Sequence, residues 1–240
     1  MTTLGRLSCV LAATALAIGT AAAQPAQKTF ASPEQAVEAL RAAVKVHDKA
    51  ALEAIFGPQV HELLTGDERQ DKANSRRFAK SLAEGAAPVS EGADKVLLEI
   101  GGKKWLFPVP LVKEGAAWRF DTAAGKAEIV NRHIGKDELH AIGVCEAYGR
   151  APKTVKPDLS KPYHGYLFKR PPQIGAGGFA LIAYPENWGH SGIMTFVVAQ
   201  DGRLYQRDLG AKTTQLVAAM TNYTPAAAWT LVKDPGVTEK

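Results

Sequence analysis

Along the first third of the chain, apolar residues return at helical spacing. Ala36, Val37, Leu40, Ala43 and Val44 share one stripe behind Ser32-Pro33-Glu34-Gln35. Ser32 is placed to cap that helix, Pro33 takes the first helical position, and Gln35 can complete a capping box. Asp48 is placed to cap a second helix bearing Leu52, Ile55 and Phe56, which Gly57-Pro58 ends. Residues 60–64 read as a helical turn, and 67–83 as a charged helix with Phe78 and Leu82 inward. After Pro88 the period changes to two. Residues 95–100 and 104–112 read as strands paired across Gly101-Gly102, and 118–121 as a third. Pro108 and Pro110 cannot donate to a ladder, so part of the second strand is an edge or a break.

Helical spacing returns at 122–132 and 136–150, with Gly135 expected to interrupt it and Asp137 to cap the second piece. Leu139, Ile142, Val144 or Cys145, and Tyr148 are its expected core contacts. Pro152 stops it, and 151–162, with Pro152, Pro157 and Pro162, is the best linker. Residues 163–169 form a strand. A meander follows at 179–184, 193–199 and 204–209, with Asp201-Gly202 as its last turn. Residues 211–220 make a final helix with Leu216, Val217 and Met220 inward, and 229–232 close an edge. The expectation is an α+β protein. N-terminal helices pack on a small antiparallel sheet in 24–132, and a helix packs across a second antiparallel meander sheet in 133–240.

Residues 1–23 read as a signal peptide: Arg6, an apolar run over 7–19 too short to span a bilayer, and Ala21-Ala22-Ala23 before the cut. The mature chain is then periplasmic or secreted, with no transmembrane segment. Loss of Arg6 lowers the formal charge from +5 by one. It also leaves Cys145 as the mature chain's lone cysteine, so stability rests on packing and not on an internal disulfide. The small basic excess fits an anionic envelope partner and does not support nucleic-acid binding.

Five ordered phrases carry a family likeness. They are Trp118-Arg119-Phe120-Asp121-Thr122-Ala123-Ala124-Gly125, Asn131-Arg132-His133-Ile134-Gly135-Lys136-Asp137-Glu138-Leu139, Gly178-Phe179-Ala180-Leu181-Ile182-Ala183-Tyr184-Pro185, Gly192-Ile193-Met194-Thr195-Phe196-Val197-Val198 and Tyr205-Gln206-Arg207-Asp208-Leu209-Gly210. From about Phe30 to Val232 the chain resembles the exported bacterial family called domain of unknown function 2950. That likeness transfers no activity and no catalytic residue. It implies a longer connecting helix and a longer glycine-rich insert than are found here, where Pro152 intervenes and 173–178 is short. The C-terminal half also resembles the soluble heads of pilin-like proteins, although an α+β layer stands where a pilin has its long apolar helix.

Candidate chemistry is sparse. His133 and His140 lie seven apart, two turns of a helix that Gly135 is expected to break, and no compact zinc motif is present, so no metal or other cofactor is expected. His164, His190, Ser191 and Asp208 are the residues a hydrolase with a dispersed site would use, but no nucleophile elbow accompanies them. Cys145 has no cation placed to activate it. Asp137 and Asp201 read as cap and turn residues. The more informative feature is 150–170. There Arg150, Lys153, Lys156, Lys161, Lys169 and Arg170 face Asp158 alone, interleaved with Tyr163, Tyr166 and Phe168. Lys153, Lys156, Lys161, Tyr163, Lys169 and Arg170, with Trp188 in a second loop, are the candidate contacts of a non-enzymatic protein that binds or helps assemble an envelope protein or an anionic envelope polymer.

Overall fold

A computed structural model describes residues 27–171, 181–198, 201–220 and 228–233; the expected leader and the 173–178 segment lie outside them. Helix α1 (Pro33–Lys45) begins where Ser32 accepts from the Gln35 amide, and it buries Ala36, Val37, Leu40, Ala43 and Val44. Asp48 caps α2 (Lys49–Phe56), Pro58–Leu63 is a 3-10 turn, and Asp67 caps α3 (Glu68–Glu84). These helices cover an antiparallel sheet of β1 (Ala86–Ser90), β2 (Lys95–Ile100), β4 (Leu111–Glu114) and β5 (Ala117–Phe120) in that order. The two-residue β3 (Trp105–Leu106) pairs with β2. Pro108 and Pro110 separate β3 from β4, as their missing donors require. Strand β1 was not apparent in the pattern, because four of its five residues are exposed and Pro88 sits inside it. Phe30, Phe56, Phe107 and Phe120 knit this first core, with Phe56 and Phe120 centroids 5.1 Å apart.

Next comes α4 (Thr122–Arg150), one unbroken helix of 29 residues capped by Asp121. It passes straight through Gly135. The expected interruption is absent, and Asp137 is a buried mid-helix residue and not a cap. Near its start, Gly125 lies so close to Val109 that a methyl group would stand 2.6 Å from Cγ2. Its later turns bury Ala141, Cys145 and Tyr148 in the second core.

That core faces a sheet of β6 (Tyr166–Lys169), β7 (Leu181–Pro185), β8 (Met194–Val198), β9 (Leu204–Asp208) and β10 (Thr230–Leu231), antiparallel and paired in chain order. Alternation sorts the strands. Leu181, Ala183, Phe196 and Val198 pack beneath α4. Ile182 and Val197 face the other way, onto Val217 of α5 (Thr213–Ala219). The protein is therefore α+β. Leu139 and Leu216, expected inward, are both exposed. No helix among the described residues is long and apolar enough to cross a membrane.

Candidate functional site

The continuity of α4 decides which side chains meet. Positions i, i+4 and i+7 lie on one helical face, so His133, Asp137 and His140 form a single row. His133 Nε2 stands 3.1 Å from Asp137 Oδ2, and the Asp137 side chain is 4 % exposed. No Lys or Arg nitrogen among the described residues lies within 4.0 Å of that carboxylate. Beside it, Glu138 Oε1 accepts from the amides of Ile193 and Met194, both at 2.9 Å, and so clamps α4 to the start of β8.

A two-residue turn presses against this row. Tyr163 and Tyr166 exchange backbone hydrogen bonds of 2.8 and 3.0 Å around His164-Gly165. Both central residues have positive φ, 46° at His164 and 68° at Gly165, as a tight hairpin of this kind requires. Positive φ is uncommon outside glycine, and His164 shares it with His47 and Lys104 among the described residues. Gly165 is also a contact residue: a methyl group there would stand 2.6 Å from Ser191 Cβ and 3.1 Å from Asp137 Oδ2. The turn stacks the His164 imidazole on that of His140, centroids 3.7 Å apart and planes 6° from parallel. Tyr163 lies edge-on to His164 at 4.5 Å. His140 Nδ1 is buried and has no hydrogen-bond partner among the described residues. Asp137, His140 and His164 each offer a ligand atom, all within 4.8 Å of one another. Behind them, the Tyr166 hydroxyl donates to Met194 O at 2.8 Å. Burial, and then the charge of Glu138, push its pKa well above the usual phenol range.

The seven expected contact residues divide by what they touch. Lys153, Lys156, Lys161 and Tyr163 are exposed on the loop between α4 and β6. No carboxylate among the described residues lies within 4.0 Å of the three ammonium groups. Lys169 serves the fold instead: its Nζ donates to Val217 O, Ala218 O and Met220 O at the end of α5. There it meets the negative end of the helix, adding a donor to Val217 O, which already accepts from the Met220 amide, and capping the carbonyls of Ala218 and Met220. Arg170 lies over the Tyr148 ring at 5.7 Å. Trp188 is 38 % exposed, and its Nε1 donates to Asp208 Oδ1 at 2.9 Å.

Among the described residues no polar contact joins His164, His190, Ser191 and Asp208 to one another. The Ser191 hydroxyl donates to Asn187 O and accepts from Asn187 N, which fastens its own loop. Asp208 receives the Trp188 indole and the Gly210 amide. His190 is exposed, and His164 stands on His140. Cys145 is fully buried, and burial drives its thiol pKa far above the ordinary value, which disfavours the nucleophilic thiolate.

No curated protein and no solved structure matches this chain. The model of a protein family does, over residues 27–156 and 151–232, two stretches that meet in the loop after α4. The match extends over most of the sequence and includes both sheets, α4 and the histidine-bearing turn, and the chain belongs to that family, described as protein of unknown function DUF2950.

Proposed function

We propose that the protein is exported, loses residues 1–23, and acts in the envelope as a non-enzymatic binding or assembly accessory. One observation carries the reading. Lys153, Lys156 and Lys161 project from a single loop beside exposed Tyr163, with no carboxylate of the described residues close enough to pair with them. Unpaired surface ammonium groups retain their field, and an exposed tyrosine adds apolar area at little entropic cost. An anionic surface of an envelope component is the complementary partner. The loop is flanked by α4 and β6, so it is displayed from a packed layer in which a helix lies across an antiparallel sheet. That layout is the basis for comparing this half to the soluble heads of pilin-like proteins. Lys169, Arg170 and Trp188 are assigned here to the fold, and the binding loop narrows to residues 153–163.

The reading is tested by co-sedimentation of the processed protein with isolated envelopes at rising salt. Wild type is expected to sediment at low ionic strength and to be released as salt screens the contact. The triple reversal K153E/K156E/K161E should lower retention by about tenfold. Equal retention of the two proteins would remove the basic loop from the account. Recovery of an uncleaved chain in the cytoplasm would remove export.

A further inference from the structure

Asp137 is a buried carboxylate with histidines around it, and no Lys or Arg nitrogen of the described residues lies within 4.0 Å of it. A buried charge needs a partner of opposite sign or a coordinated ion. His133 meets one oxygen and is 63 % exposed, so it supplies at best a solvent-screened partner. On the other side stand His140, whose buried Nδ1 has no hydrogen-bond partner among the described residues, and His164, held at positive φ. Two imidazoles and a carboxylate, with donor atoms inside 4.8 Å of one another, are a donor set suited to a borderline divalent cation.

We propose that Asp137, His140 and His164 form a binding site for a divalent transition ion, with Zn²⁺ the best fit. Bonds of about 2.0–2.1 Å in tetrahedral array bring ligand atoms to about 3.3 Å from one another. Closure from the present spacing therefore needs a modest inward movement, and rotation of the two stacked imidazoles out of parallel supplies it. His133 then holds the carboxylate from outside, as histidine and carboxylate partners do around metal centres. Gly165 fixes the approach, since no side chain fits between Asp137 and Ser191. A fourth position is left to water or to a ligand from a partner. The site also ties the His164 turn to the middle of α4, and through Tyr163 it adjoins the basic loop.

The test is a Zn²⁺ titration of the protein, purified without a polyhistidine tag, stripped with chelator and desalted, read by calorimetry and by melting temperature. One ion per chain is expected, with a rise in melting temperature. His164→Gly is the most informative variant, because glycine accepts the positive φ and leaves the turn intact while removing a ligand. H164G, D137N and H140Q should each weaken binding at least tenfold, whereas H61Q, at an exposed histidine elsewhere, should leave it unchanged. H164G without metal should melt no lower than wild type, which separates lost ligation from lost folding. Absence of saturable one-to-one binding, or binding unchanged by H164G, would overturn the proposal.

Discussion

A methyl group at Gly165 has nowhere to go. Ser191 Cβ would be 2.6 Å away and Asp137 Oδ2 3.1 Å, and the backbone at φ 68° disfavours any L side chain. Strain and overpacking act together, so Gly165→Ala should lose about 2–4 kcal/mol, read as a lower urea midpoint at unchanged slope. A shift under about 0.5 kcal/mol would mean that the turn does not press on α4. Cys145 supplies a second residue-level outcome. With its thiol fully buried and its pKa forced upward, it should resist alkylation in the native protein at neutral pH and react once the chain unfolds. Prompt labelling of the folded protein would contradict the packing of α4 on the second sheet. Some residue roles were legible beforehand. Ser32 and Asp48 cap as their positions implied, because an N-cap depends only on the next three residues. Asp137 misled for the same reason. It looks like a cap in a window that begins at Gly135, and its burial depends on a turn nearly thirty residues later in the chain.

At the scale of elements, the histidine row exists because α4 is continuous. A glycine inside a helix costs only about 1 kcal/mol relative to alanine, and the packing of α4 against both cores outweighs that. Nothing lies within 4 Å of a methyl group built on Gly135, so Gly135→Ala should stabilise the protein by about 0.5–1 kcal/mol. Destabilisation instead would show that residue 135 is not helical. Gly149 should give the opposite sign. A methyl group there meets Val198 Cγ2 at 2.9 Å and Gly202 O at 3.3 Å, so Gly149→Ala should cost about 1–3 kcal/mol. The same helix explains the misplaced leucine. The buried residues Ile134, Asp137, Ala141, Cys145 and Tyr148 follow one stripe, and Leu139 lies outside it. A stripe drawn from a helix beginning near 136 could not show which face the turn would cover. The strands were easier to read. The apolar runs of β7 and β8 are buried on both faces, one by α4 and the other by α5, and so they register as continuous hydrophobic stretches. Strand β1 lacked any such signal, being an edge exposed along most of its length.

For the molecule as a whole, the two antiparallel layers leave 151–163 as a surface where Lys153, Lys156 and Lys161 lie within 4.0 Å of no carboxylate of the described residues. The sequence showed the cationic run but not its partition. Lys169 is spent on the carbonyls at the end of α5 and Arg170 lies over Tyr148, contacts that join segments far apart in the chain and that no local pattern encodes. Of the proposed contacts, Lys153, Lys156, Lys161 and Tyr163 remain exposed with no such role in the fold. The most direct measurement of that claim places a photoreactive residue at Lys156 and, as a control, at exposed Lys103 in the turn between β2 and β3, in separate strains. Irradiation of intact cells should give a discrete adduct with an envelope component from position 156 and none from 103. The adduct should be lost when K153E and K161E are added. Equal adducts from both positions, or none from 156 with the protein correctly exported, would contradict a binding role for this loop.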